Sequence, residues 1–369
     1  MCRERVVLWG TGYIANEIFT LCHTLNQYDF VAVIDNDKSK QGKYFQDILI
    51  YDSSFILENK GEYDSIVVLT NAYDEVYKQI INLDNSLKER IHNYYYFYKK
   101  SILKRYAHTG NFEIKKVIDF LNDNNLRVFN YEFANSYDLL NPKVYMDDKC
   151  GLRYVIHNGK KMYFSRIYDT ENKVVEYYKS ILMEQDKESP HRYLSDEFNI
   201  EDNSIVLDVG VAEGNFSLDI IEKVKRIYMV EADTLWVEAL QQTFSDYKDK
   251  VEIITGYASS YDDGDYITLD SIIDDELNFI KMDIEGCEWD ALKGAKRLIS
   301  NSKNLKLTIC SYHSDFDQEL IEKFMDENGI NHTTTQGYMW FPYTCRQVTV
   351  STRLNRGIVR GIKSTKSFL

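Results

Sequence analysis

The sequence predicts an α/β protein of two parallel-sheet units, joined by an α+β segment that carries a β-hairpin. Three observations predict it. Apolar runs of strand length alternate with helix-length amphipathic stretches in two separate blocks. Each block opens on a strand, a glycine turn and a helix start, "RVVLWGTGYIA" and "IVLDVGVAEGNFS". Between the blocks, "LRYVIHNGKKMYFSRI" alternates around Asn158-Gly159, a pair that favours a two-residue hairpin turn.

The first block is expected over residues 1–100. "RVVLWG" and "DFVAVIDND" read as strands with a helix between them. "YDSIVVLT" is a third strand and "NAYDEVYKQIINL" the helix after it. The block closes on "YYYFYKK", an aromatic run that reads as strand or packing. Residues 101–195 form the connecting segment, with a helix in "FEIKKVIDFLNDNN", the hairpin within 152–167 and a helix in "NKVVEYYKSILMEQ". The last unit, 196–369, holds five strand candidates: "SIVLDVG", "RIYMVEAD", "VEIITGYA", "LNFIKMDIEG" and "LKLTICSYH". "TTTQGYMWFPYTCRQVTVST" alternates and is expected to close the sheet antiparallel.

The chain of 369 residues is long enough for two domains with sizeable cores. A net charge of −14 argues against a general nucleic-acid binder. The six cysteines (Cys2, Cys22, Cys150, Cys287, Cys310, Cys345) form no CxxC pair and read as reduced, mostly buried thiols of a cytoplasmic protein. No signal peptide and no apolar run of transmembrane length is expected. From Asn328 to Leu369 there is no acid, yet Arg346, Arg353, Arg356, Arg360, Lys363 and Lys366 are present. Such a run reads as a solvated tail, or as a surface for phosphate or anionic lipid.

The second glycine turn carries acids, and that selects its ligand. A parallel sheet binds ligands at the carboxyl ends of its strands. Those ends supply Asp208, the turn 209–214 with Glu213, Glu231, Tyr257, Asp283 and His313. A pyrophosphate would meet Glu213, at roughly 4 kcal/mol of repulsion for unit charges about 4 Å apart at an effective dielectric near 20. S-adenosylmethionine reverses the sign, because its sulfonium and ammonium are positive. Glu231 stands 23 residues after Asp208, at the next strand end, placed for ribose hydroxyls. The helix start after Gly214, with Asn215, can serve a carboxylate through backbone N–H groups. A lone Asp-x-Gly-x-x-x-Gly turn is common in α/β proteins. "KMDIEGCEWDALKGA" is far more specific, since Lys281 and Asp283 sit in an otherwise apolar strand. Glu288, in a first helical turn, reads as a dipole partner.

Residues 204–313 resemble the FkbM family of S-adenosylmethionine-dependent methyltransferases. "VLDVGVAEGNFSL", "YMVEAD", "TLDSIID" and above all "FIKMDIEGCEWDALKGA" carry the resemblance. It implies two Rossmann-like units, the C-terminal one a class I methyltransferase sheet. It also implies O-methylation, commonly of sugars in bacterial polysaccharide and glycan biosynthesis or of hydroxyls in secondary metabolites. Asp208, Gly210, Gly214, Glu231 and Asp283 carry over as cofactor-side positions, and Glu213 stands where family members often have Asn. "MEQDKESPHRYL" is similar to the segment before the motif in one branch of the family, which makes Glu184, Gln185, His191 and Arg192 candidates to line the acceptor side.

Methyl transfer to oxygen needs an aligned hydroxyl and a proton acceptor. His313, at the end of "LTICSYH", is the first candidate, with an expected pKa near 6–7. Asp283 is the second, with Lys281 as its charge partner. No spacing resembles a dedicated metal site, so no metal is expected.

The first glycine turn is different. Gly10, Gly12 and Ala15 form a dinucleotide-type turn free of acids, and Asp35 follows Gly12 by 23 residues as a ribose-type acid. A nucleotide or NAD is admissible there. Tyr95/Lys99 and Tyr96/Lys100 have the spacing of a reductase pair but sit in the aromatic run that reads as strand or packing, so the block lacks a convincing catalytic pair. The block resembles short nucleotide-binding-type domains that precede sugar-modifying enzymes, including sialic acid O-acetyltransferases, which implies recognition of a sugar nucleotide or a scaffold. Two functions compete with a sugar O-methyltransferase. One is an NAD-dependent oxidoreductase or epimerase on a nucleotide-sugar. The other is a non-catalytic nucleotide-sugar-binding protein.

Overall fold

A computed structural model describes residues 3–25, 28–314, 316–342 and 351–364. The chain divides into two compact units. The first runs up to Arg127, and the second holds the described residues from Val128 to Pro342 and from Arg353 onward. The expected boundary at Lys100 falls inside a helix, Tyr95–Arg105, and the expected segment 101–195 is shared between the two units.

In the first unit β1 (Glu4–Trp9), β2 (Tyr28–Ile34), β3 (Tyr44–Phe45), β4 (Ile48–Tyr51), β5 (Ser65–Val68) and β6 (Ile91–Asn93) form one sheet in the order β3-β4-β2-β1-β5-β6. All neighbours are parallel except β3 with β4. Val6, Val7, Leu8 and Trp9 are all buried, which is why β1 reads as a continuous apolar run rather than an alternating one. Helix Tyr73–Leu83 buries Val76 and Ile80, four residues apart on one face. Helix Phe112–Asp123 starts where the Asn111 side chain accepts from the Glu113 and Ile114 amides, at 2.9 and 3.1 Å. The aromatic run read as strand or packing is the helix Tyr95–Arg105. Phe97, Tyr98 and Ile102 are buried on it, so tertiary packing overrides the β preference of tyrosine.

In the second unit β7 (Tyr145–Asp147), β8 (Leu152–His157) and β9 (Lys160–Tyr163) form an antiparallel sheet. Asn158 and Gly159 turn the hairpin with φ of 48° and 81°, both left-handed as a type I′ turn requires. The main sheet contains β10 (Ile205–Val209), β11 (Arg226–Glu231), β12 (Val251–Thr255), β15 (Phe279–Met282), β16 (Leu305–Cys310), β17 (Asn331–Thr334) and β18 (Ile358–Lys363). A short pair, β13 (Tyr257–Ala258) and β14 (Tyr266–Ile267), follows β12. The order is β12-β11-β10-β15-β16-β18-β17, parallel except where β18 runs against both neighbours. The reversal of strand order beside β10 opens a crevice at the carboxyl ends of β10 and β15.

The basic run near the C-terminus is therefore not simply a solvated tail. Ile358 and Val359 are core residues of β18. The Arg360 guanidinium donates to the Arg192 carbonyl at 2.7 Å, and the Lys363 ammonium to the Ile299 and Ser300 carbonyls at 2.6 and 2.7 Å. Arg346 and Lys366 lie outside the described residues. So do Cys2 and Cys345, and the Cys22 side chain; Cys150, Cys287 and Cys310 are free thiols, of which Cys287 is exposed rather than buried. No helix among the described residues is long and apolar enough to cross a membrane.

Candidate functional site

The crevice is built on one buried ion pair. Asp208 at the end of β10 is fully buried, and Lys281 on β15 holds its ammonium 3.1 Å away. Ser217 donates to the other Asp208 oxygen at 2.7 Å, and Lys281 donates to the Gly210 carbonyl. Burial opposes the Lys281 charge, yet Asp208 and Asp283 outweigh it and hold the ammonium above its ordinary pKa. Asp208 was expected to face a ligand; it is used instead to pin Lys281 and the turn.

The turn itself is left-handed at Gly210, Ala212 and Gly214. A Cβ at Gly210 would overlap the Asp283 carbonyl oxygen, so glycine is required where β10 and β15 approach. Glu231, at the end of β11, accepts from the Ala212 amide at 2.8 Å and from the Asp233 amide at 2.9 Å. Glu213 is buried and accepts from the Tyr177 hydroxyl at 2.8 Å; burial pushes its carboxyl up. Burial also pushes Glu184 well up, with Asp283 and Glu213 adding like charge. Asn215 accepts from the Phe216 amide at 2.6 Å and starts a helix of only six residues, a weaker dipole than expected.

On the other side of the crevice, Asp283 gathers polar groups that lie far apart in sequence. The Tyr193 hydroxyl donates to it at 2.7 Å, and the Tyr312 hydroxyl lies 3.4 Å away. His191 and His313 stand 3.6 and 3.5 Å from its oxygens. Burial opposes its charge, but His191, His313 and Lys281 together hold the carboxyl well below its usual range. His313 has Glu288 Oε1 2.9 Å from Nδ1, while its Nε2 looks toward Asp283 and Glu285. Burial opposes its charge too, but Glu288, Asp283 and Glu285 push its pKa up to about 9.

Three expectations change here. His313 does not titrate near 6–7, and its side chain is only 1 % exposed. Asp283, at 18 %, is the more open group. Glu288 is no dipole partner of the surface: it is buried and also accepts from the Ile284 amide at 3.0 Å, closing the 283–288 turn. Among the acceptor-side candidates, His191 joins Asp283 and Glu184 joins Glu213. Gln185 instead accepts from the Tyr193 amide at 3.2 Å, and Arg192 offers its carbonyl to Arg360. Tyr177, Tyr193 and Tyr312 are site residues that the motifs did not announce. Two groups, His191–Asp283–Cys310 and Asp283–Glu288–His313, bring donor atoms within 4.8 Å of one another, although no sequence spacing signalled an ion site.

In the first unit, Gly10 adopts a φ of 112°, and Ala15 is buried under the turn. Gly12 has open space around it. Asp35 is buried and already engaged. Thr11 and Lys40 donate to one oxygen, and the Asp37 amide to the other at 2.9 Å.

This topology, with acids around a glycine turn and a buried Lys–Asp pair behind it, is consistent with a Rossmann-like methyltransferase fold. Residues 239–329 match the sequence model of the methyltransferase FkbM domain, and residues 2–91 match that of the C2185-like N-terminal domain. The second unit thus contains a stretch that matches an FkbM methyltransferase domain. Among solved structures, it is similar to the methyltransferase FkbM of Methylobacillus flagellatus KT, with 18% identity over 97% of this chain and 89% of that chain and a TM-score of 0.45. It is also similar to a methyltransferase of Streptococcus mutans in complex with SAH, with 15% identity over 44% of this chain and 90% of that chain and a TM-score of 0.32. Neither likeness is close enough to transfer residue roles. No curated protein matches the chain.

Proposed function

We propose that this protein is a cytoplasmic S-adenosylmethionine-dependent O-methyltransferase that acts on a sugar hydroxyl in bacterial polysaccharide or glycan biosynthesis. The observation that carries the reading is the set of carboxyl groups around the second glycine turn. Glu213 and Glu184 are held above their ordinary pKa by burial, with neighbouring carboxylates adding like charge and Lys281 only partly opposing it. A phosphate there would be repelled; a sulfonium or ammonium would relieve both. Glu231 retains lone pairs for ribose hydroxyls beside its two amide donors. The residues therefore fit this cofactor, which when bound supplies an activated methyl group.

The acceptor hydroxyl approaches Asp283, which is more open than His313. Asp283 would accept the hydroxyl hydrogen bond and take its proton as the methyl carbon passes from the sulfonium sulfur to the hydroxyl oxygen, the thioether S-adenosylhomocysteine being the leaving group. Tyr193 and His191 fix the direction of the carboxylate. His313, charged at neutral pH and held by Glu288, is a positioning residue that keeps Asp283 ionised. Support for a carbohydrate acceptor comes from Tyr257, Tyr261 and Tyr266. These exposed tyrosines cluster after β12, with successive ring centroids 5.5 Å apart, and offer flat faces to a sugar. The scattered free thiols support a reducing compartment.

The test is transfer of labelled methyl from S-adenosylmethionine to a panel of sugar acceptors, with the product read by mass spectrometry. Methylated sugar is the expected product. Cofactor binding with no transfer to any hydroxyl, but transfer to a nitrogen acceptor, would overturn the O-methyl assignment.

A further inference from the structure

The first unit contains a cleft of about 440 Å³ beside β6 and the helices Tyr95–Arg105 and Phe112–Asp123. That volume is in the range of small-molecule sites. His92, Tyr95, Lys99, Lys100, Asn122 and Asn125 line it, and no carboxylate is among its lining residues. Asp123 acts on Lys99 from nearby, and Glu4 and Glu89 act on His92, but the lining itself is basic and polar.

The two lysines define its chemistry. Lys99 donates to the Asn124 carbonyl at 2.8 Å, and Lys100 lies over the Tyr96 ring, 5.1 Å from its centre. Neither forms an ion pair among the described residues. Burial and the neighbouring Lys100 both push the Lys99 ammonium down, so an anion would stabilise it. Tyr96 is fixed from behind, because its hydroxyl donates to Glu4 at 2.6 Å, and it stacks on His92 at 4.3 Å. Burial and Glu4 raise the Tyr96 hydroxyl, which makes it harder to ionise. The glycine turn is the poorer site in this unit, because Thr11, Lys40 and the Asp37 amide already engage Asp35.

We infer that this cleft binds a phosphate ester of a hydroxylated ring, with the phosphate against Lys99 and Lys100, the ring against Tyr95, and the hydroxyls on Asn122 and Asn125. A sugar phosphate and a nucleoside phosphate share that chemistry. Calorimetry on the full chain with glucosyl phosphate, uridine monophosphate and inorganic phosphate separates the sources. One of the two organic phosphates is expected to bind at least about tenfold tighter than inorganic phosphate, and Lys100→Glu should weaken it by about tenfold or more. Lys99→Gln should weaken it in the same direction. Affinity for S-adenosylhomocysteine should not change in either variant, so failure here is distinct from failure of the methyltransferase reading. The inference is overturned if neither organic phosphate binds better than inorganic phosphate. It is also overturned if binding survives both lysine changes but is lost in Gly12→Asp.

Discussion

Glu288 holds a carboxylate oxygen 2.9 Å from Nδ1 of His313, with both side chains only 1 % exposed. A buried cation beside a buried anion links protonation to folding. The folded pKa of His313 is about 9, against an ordinary 6.5. Its contribution is therefore fully present below pH about 6.5 and lost as pH rises through about 9. Two and a half units correspond to about 3 kcal/mol at most. Denaturant unfolding of the native protein and of Glu288→Gln across this window should show their stability difference shrinking as pH rises. A constant difference would show that His313 is neutral when folded.

The pH–rate profile distinguishes the two candidate bases. Asp283 is held well below its usual range, so kcat/KM for methyl transfer should be flat from about pH 6 to pH 8. Asp283→Asn should slow the chemical step by about 10²–10⁴-fold. His313→Asn should cost less and leave the flat profile in place. A native rate that climbs through pH 6–7, and loses that climb in His313→Asn, returns the base role to the histidine.

Asp208 and Lys281 are a buried pair in which removal of one partner strands the other. Asp208→Asn should destabilise the second unit by about 3–5 kcal/mol, and Lys281→Met by a similar amount. The double variant should recover part of the loss. Thermal unfolding of all four proteins measures the coupling, and additive losses would mean that the pair does not interact.

Metal dependence is open to a direct check. Lys281 and His313 supply positive charge beside Asp283. Transfer rates should therefore be unchanged after chelation with EDTA. A loss restored by magnesium or manganese would make Asp283, Glu288 and His313 ligands instead.

Much of the fold was legible because its signals are local. The two glycine turns, the Asn158-Gly159 hairpin and the apolar strands each declare themselves within a dozen residues. The helix Tyr95–Arg105 was not legible, because its tyrosines favour strands until Phe97 and Ile102 find a core. β18 was hidden by its charges, since Arg360 and Lys363 look like a tail until carbonyls take their hydrogen bonds. Half of the site is non-local for the same reason. Tyr193 meets Asp283 across 90 residues and Tyr312 meets it across 29, and no spacing rule connects them. The acids of the turn were visible, but the use of Asp208 as an anchor for Lys281 required the neighbouring strand.

The acid-lined crevice of the second unit should take S-adenosylmethionine. Calorimetric titration of the full chain with S-adenosylhomocysteine, in parallel with NAD, tests it most directly. One molecule of S-adenosylhomocysteine should bind per chain, with affinity lost in Glu231→Gln by about 1.5–3 kcal/mol for each charged hydrogen bond removed. No binding of S-adenosylhomocysteine, or binding of NAD that Glu231→Gln abolishes, would contradict it.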